Sequence, residues 1–401
     1  MSGPRGVFGM SNERDVSLDA MRGIAALAVF GWHSMLAFYP LSSGYLGATP
    51  IAESARSQFW FVAVHGAGAV AFFFVLSGFV LTRLSLTTGR TDILVRGLIK
   101  RWPRLAGPAL VAVLGSWLLF AVGGYFYAPA AALSGSSWFA RFGGALTDSS
   151  FQPSFVGAFL QGAVLTFLRG DSTYDSSLWT MAYEFYGSLM VYALAFLLAT
   201  RPALRARLIV IGGAALACGA ANPALIPFVA GFALAALLPR QGLRVPAPVG
   251  VIATAAALLG CGYTQGALGF YAPLTAIWPA WLPIPYLYAA AAALLIATAE
   301  GWAGMRRLLS RPWGRACGEL SFPFYLVHVP VLCSVGAYVF LATRSAPAAI
   351  AATFVVSLVA ATALAGFSRW WLAKLNVAVG VLMASFQRGR LGRTGPIASP
   401  P

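Results

Sequence analysis

Apolar runs, each close to the twenty or so residues that carry a helix across roughly 30 Å of hydrocarbon, recur along the whole chain, and short arginine-rich stretches separate them. This pattern constrains the fold most. Inside lipid every backbone N–H and C=O must find its partner within the segment, and continuous apolar runs of this length do so as helices. Composition agrees: 59% of the 401 residues are hydrophobic and 9% are charged. So little charge cannot cover a water-facing surface. The expected fold is an all-α, polytopic helical bundle in a membrane.

About ten transmembrane helices are expected, over 18–38, 60–82, 105–127, 178–199, 207–221, 224–239, 247–268, 285–300, 320–342 and 348–372. The basic stretches orient them. The segment 83–104 holds Arg83, Arg90, Arg96, Lys100, Arg101 and Arg104 against one acid, Asp92. It is read as a cytoplasmic loop under the positive-inside rule. Further basic clusters at 201–207, 240–244, 306–315 and 388–393 fall on the same side if the weak apolar stretch 154–168 does not cross. That stretch is then re-entrant or interfacial, and both termini are cytoplasmic. The net charge of +16 is thereby explained by topology rather than by nucleic acid, with anionic lipid as a natural neighbour.

The chain divides into an arm (1–16), a membrane domain (17–375) and a disordered tail (376–401). The outer segment 128–177 is the largest piece outside the membrane and is a candidate lid. Cys218, Cys261, Cys317 and Cys333 lie in or near apolar stretches without metal-ligand spacing. They are read as small buried hydrophobes, and no metal site is expected.

Ionisable side chains inside apolar helices are costly and mark function by default. The chain has three histidines, His33, His65 and His328. In the first helix Arg22 and His33 are eleven residues apart, three turns plus about 20°, so they share one face about 16 Å apart along the axis. Arg22 sits at the inner end, where it is either a snorkelling anchor or a phosphate contact, and Asp19 at i,i+3 is its expected partner. His33 lies in the outer half. His65, at similar depth, either shares the His33 pocket or faces the interface. Ser77-Gly78 allows close helix packing. Glu184 is placed in the outer half, where a carboxylate and a histidine suit acid–base work, the alternative being a structural pair with a histidine or an arginine. His328 is placed in the inner half, beside Pro323.

The stretches LDAMRGIAALAVFGWH, FFFVLSGFVLTR, RGLIKRWPRLAGP, SLWTMAYEFYGS and ELSFPFYLVHVP together resemble, in order, the signatures of the acyltransferase-3 family of membrane O-acyltransferases. The resemblance covers roughly 17–335. It implies a ten-helix membrane domain that uses acyl-CoA, acetyl-CoA first, to acylate a hydroxyl of a sugar, glycan, glycolipid or glycosylated natural product. It maps the family's first-helix arginine and histidine onto Arg22 and His33, and its tryptophan-to-glutamate motif onto Trp179 and Glu184. TMAYEFYGS departs from the commoner LSVEEQFYL pattern, and the hydrolase-like domain fused to some members has no counterpart in these residues.

On this reading His33 is the general base and Glu184 orients it or the acceptor. Arg22, Ser77, Arg83, Arg101, Arg104 and His328 attend the acyl-CoA, guanidinium suiting phosphate geometry. His65, Trp179 and Tyr183 attend the acceptor. Direct transfer and an acyl-histidine relay both fit. The competing reading is a transporter or flippase of a lipid-linked sugar. Ala-, Gly- and Arg-rich usage suits a bacterial source, and so a bacterial cell membrane.

Overall fold

The computed structural model describes residues 16–45, 49–145, 151–199, 203–239 and 242–391. In chain order its principal helices are α1 (Val16–Phe38), α2 (Gly66–Thr88), α3 (Asp92–Ala121), α4 (Tyr127–Ser134), α5 (Ser137–Ala140), α6 (Phe155–Arg169), α7 (Thr180–Ala199), α8 (Leu204–Ala221), α9 (Ile226–Leu237), α10 (Ala247–Gly262), α11 (Ile284–Gly301), α12 (Pro312–Thr343) and α13 (Ala346–Leu391). Among the described residues eight helices are long and apolar enough to cross a membrane, and α6, α9 and α10 are shorter apolar helices. The chain is a multi-pass helical membrane protein. α9 and α10 complete the ten expected segments, and α6 is the weak stretch at 154–168.

Three boundaries shift in ways that matter for the site. Residues Phe59–Val64 form a 3-10 turn, so α2 begins at Gly66 and carries on through the start of the expected loop to Thr88. α3 begins at Asp92 rather than 105. Pro103 and Pro108 lie inside it, and such prolines are tolerated in membrane helices where neighbouring groups take up the freed carbonyls. The basic cluster thus rides on a helix wall instead of a loop. α12 begins at Pro312, eight residues before the expected 320, which puts His328 sixteen residues into the helix and level with His33.

α1 and α12 lie side by side and parallel. Gly23 meets Cys317 and Gly318 meets Asp19, each too close to admit a methyl group. Further along, Phe30 meets Phe324 at 5.6 Å between ring centroids. Small residues let the two backbones approach, and the shared direction brings equal depths together. α2 and α9 cross through Gly78 and Gly231, whose neighbours are the backbone carbonyls of Phe228 and Val75. That crossing fixes Ser77. The four cysteines are unbridged, and Cys218, Cys261 and Cys333 are buried.

α13 runs unbroken from Ala346 to Leu391, where a disordered tail was expected from 376. Lys100 on α3 reaches Asn376 on it at 3.1 Å. The basic positions Arg201, Arg240 and Arg393 and most of the arm 1–16 lie outside the described residues.

Candidate functional site

The parallel pairing of α1 and α12 sets His33 beside His328. Nδ1 of His33 and Nε2 of His328 are 2.7 Å apart, their ring planes differ by 6° and their centroids are 5.0 Å apart. An N···N contact this short between parallel rings is an edge-to-edge hydrogen bond, not a stack. Nδ1 of His328 lies 2.8 Å from the backbone carbonyl of Tyr325. A carbonyl only accepts, so Nδ1 of His328 carries a hydrogen. When both rings are neutral, Nε2 of His328 is then an acceptor, and His33 must donate from Nδ1. The order of donors leaves the lone pair of His33 on Nε2. His328 is fully buried, while His33 keeps part of its surface exposed.

The segment that carries α5 covers this pair. Ser136 caps α5, accepting from the N–H of Phe139, and its hydroxyl donates to the carbonyl of Leu36 at 2.6 Å. This ties α5 to the C-terminal end of α1 and lays Trp138 on His33, with centroids 5.2 Å apart and planes at 21°. Beneath the pair, Phe324 is parallel to His328 at 6.1 Å, and Phe30 and Phe354 close the wall.

A second polar cluster descends α7. Thr180, Glu184 and Ser188 follow at i, i+4 and i+8, one face of a helix and about 12 Å of rise. Thr180 Oγ1 lies 2.8 Å from the hydroxyl of Tyr325. Glu184 accepts from Ser77 Oγ at 2.6 Å and forms an ion pair with Arg101. Arg101 also donates from Nε to Ser188 Oγ at 2.8 Å. Arg101 is buried, and a buried charge needs such a partner.

Arg101 also lines a cavity of about 340 Å³ at the start of α3, with Arg90, Arg96, Lys100, Arg104 and Asp92 on its walls. Five cations face one carboxylate there, and Arg90 holds that carboxylate at 2.7 Å. The stripe on α7 therefore leads from the neighbourhood of the histidine pair to a basic cavity.

The other candidate residues lie elsewhere. Arg22 pairs with Asp19 at 3.3 Å and is not on the cavity wall. Arg83 donates to the carbonyls of Ala235, Leu238 and Pro239 at 3.0, 2.8 and 2.7 Å. It closes the C-terminal end of α9, where orphan carbonyls favour a cation. His65 does not join His33. Its Nδ1 meets the carbonyl of Cys261 at 2.7 Å, and its ring sits on Phe61. Burial pushes it down to about 4. Trp179 is 47% exposed and packs edge-on against Tyr183, which stacks on Phe74. Of the readings open for Glu184, the structure shows the pair with an arginine: Arg101 and Ser77 hold it, and His328 takes the place beside His33. The reason is depth: with α3 helical from Asp92, Arg101 reaches the level of Glu184. His328, expected near an entering cofactor in the inner half, is instead the partner of His33.

Sequence reasoning missed Trp138, Tyr325, Ser177 and Asp175. Tyr325 acts through its backbone carbonyl, which no side-chain pattern reveals. Trp138 lies in a short helix without periodicity. Asp175 precedes the 3-10 turn Ser176–Trp179 and accepts from the N–H and hydroxyl of Ser177 at 3.0 and 2.8 Å. Burial pushes its carboxyl up to about 7.

A family model described as an acyltransferase domain matches residues 15–366. No curated protein matches the chain, and no solved structure does.

Proposed function

The chain belongs to the acyltransferase-3 family, and on that premise we propose that it moves a short acyl group, acetyl first, from acyl-CoA to a hydroxyl of a sugar, glycan, glycolipid or glycosylated natural product. The setting is a bacterial cell membrane with both termini in the cytoplasm.

The single observation that carries the mechanism is the ordered bond from His33 to His328 to the Tyr325 carbonyl. It supports His33 Nε2 as the general base. The acceptor's hydroxyl proton passes to Nε2 as its oxygen attacks the thioester carbonyl. The C–S bond then breaks, and the proton returns from Nε2 to the departing thiolate. The products are an ester and free CoA thiol, so atoms and protons balance. His328 shares the positive charge while His33 holds the extra proton. This is direct transfer without a protein nucleophile.

The donor's phosphates would sit in the cavity walled by Arg96, Lys100, Arg101 and Arg104, where fixed cations favour them. The thin pantetheine arm would follow the α7 stripe toward Tyr325 and the histidines. Glu184 then acts on the donor side, holding Arg101 and Ser77, rather than touching His33. Arg22, held by Asp19, and Arg83, which caps α9, keep structural roles, His65 stands apart from the reaction, and Trp179 and Tyr183 belong to the wall along which the acceptor approaches.

The test is to supply membranes containing the protein with acetyl-radiolabelled acetyl-CoA and a panel of sugar and glycolipid acceptors. The reading expects base-labile label on an acceptor with one free thiol released per ester. Transport of an intact sugar without acetyl-CoA consumption would overturn it.

A further inference from the structure

A second cavity, of about 350 Å³, lies beside the C-terminal end of α1 and has no part in the chemistry above. Its walls include Met35, Tyr39 and Trp60, together with Ser42, Glu53 and Gln58. The chain that builds it is tied down from behind. Gly44, at φ +60°, lets the short helix Pro40–Ser43 close on Ser54, where a methyl group would not fit. The hydroxyls of Ser54 and Ser57 both donate to the Ile51 carbonyl at 2.8 Å, and Ser57 Oγ accepts from the N–H of Leu268 at 3.0 Å. Arg56 donates from Nε to the carbonyl of Ser43 at 3.1 Å, and its guanidinium lies over the rings of Trp32 and Tyr45.

On this fixed frame the cavity's own polar groups are unspent. The side chains of Ser42, Glu53 and Gln58 make no hydrogen bond or ion pair among the described residues. The rings of Tyr39 and Trp60 meet no other ring there and are 40% and 41% exposed. Aromatic anchors at a lipid surface need no carboxylate and amide beside them. A sugar ring does. Its vicinal hydroxyls donate and accept, which suits a carboxylate that accepts and an amide and a hydroxyl that do both, and its C–H face is apolar and covers an aromatic ring. An ammonium ligand would also suit Glu53 and the rings, but the charge of Arg56, three residues on, opposes it. Glu53 in turn opposes an anion.

We propose that this cavity is a carbohydrate subsite that holds a neutral sugar ring of the acceptor, away from the hydroxyl that is acylated. Met35 is two residues past His33, about 3 Å along α1 and about 160° around it. The cavity and His33 therefore stand at one end of α1 and on different faces of a helix about 10–12 Å wide with its side chains. Trp32 joins the two regions, packing both against the cluster of Trp138 and against that of Phe61. A ring seated in the cavity is thus not the ring at His33, and the acceptor is a glycan of more than one ring rather than a monosaccharide. That the ring belongs to the acceptor rests on the proposed reaction; that the cavity takes a sugar does not.

The experiment uses the full-length protein in a detergent without a sugar headgroup and an array of neutral oligosaccharides: maltotriose, cellotriose, mannotriose and chitotriose, with choline as the cationic control. Wild type and His33→Ala are expected to bind a member of the array alike. Trp60→Ala is expected to bind it about fivefold more weakly and Glu53→Ala about tenfold more weakly. Both residues are exposed, so neither substitution opens the core. In acetyl transfer to that glycan, Trp60→Ala should raise the acceptor's KM by the same factor and leave kcat and the KM for acetyl-CoA in place, a split that general damage to the fold would not give. Choline bound in place of a sugar, no array member bound by wild type, or equal binding by wild type and both variants would each overturn the site. Glycan binding without acetyl transfer would uphold the site and sink the reading of the reaction. Transfer with an acceptor KM indifferent to Trp60 would do the reverse.

Discussion

His33 and His328 lie 295 residues apart in the chain and 2.7 Å apart between ring nitrogens. Everything proposed for the chemistry depends on that bond and on the carbonyl that orders it. Replacing His328 by Ala removes the acceptor for His33 Nδ1–H and frees the ring to rotate. Steady-state assays are expected to find kcat lower by about 10²-fold or more with KM for acetyl-CoA little changed. Equal loss in both parameters would place His328 in donor binding instead.

Trp138 stacks on His33. As His33 becomes an imidazolium, the indole face gains a cation–π attraction of about 0.5–2 kcal/mol. Trp138→Leu keeps bulk and removes that attraction. It is expected to lower kcat by about 3- to 30-fold, with Trp138→Phe in between. Equal rates for Leu and Phe would reduce the residue to a cover.

The ion pair of Arg101 with Glu184 is buried. Truncating either partner strands the other, at a cost of about 3–5 kcal/mol. Thermal unfolding in detergent should therefore show Arg101→Met and Glu184→Gln each melting well below wild type. The double variant is expected to recover part of the loss, because no charge is left unpaired. A double variant no more stable than the worse single would mean the pair does not act as a unit.

Arg96→Ala and Lys100→Ala are expected to raise KM for acetyl-CoA by about tenfold while kcat holds, and rising salt should narrow the difference from wild type. Arg83→Ala is expected to behave otherwise: the end of α9 loses its cap, melting temperature falls, and KM stays.

Asp175 offers a pH dependence with a fixed sign. Burial raises its folded carboxyl to about 7, against about 4 in an unfolded chain. Between those values the folded state binds more protons, so stability is lost as pH rises through the window. Asp175→Asn has no such proton. Its melting temperature is expected to exceed wild type's by a margin that grows from about pH 4 to about pH 7 and is constant beyond. A margin independent of pH would contradict the burial of that charge.

Much of this architecture was legible in the sequence. Helix existence followed from the length of apolar runs, and the i,i+3 pair of Asp19 with Arg22 followed from spacing. Depth was the weak point. Errors of eight residues at the start of α12 and thirteen at α3 are small as boundaries, yet each moves a side chain by about 12–20 Å along a helix axis. They put His328 and Arg101 at the wrong level and suggested a partnership between Glu184 and His33 that the fold does not make. The charges at the start of α3 favoured a loop there, and the compensating partner of Arg101 sits 83 residues away on α7. The role of the Tyr325 carbonyl belongs to the backbone, and no residue-type pattern could announce it.

The most direct test is the transfer of radiolabelled acetyl from acetyl-CoA into base-labile product by membranes carrying equal amounts of folded wild type or His33→Ala. The account predicts label with wild type and loss of it with His33→Ala, while both proteins bind CoA alike. Transfer by His33→Ala at the wild-type rate would contradict the account at its centre.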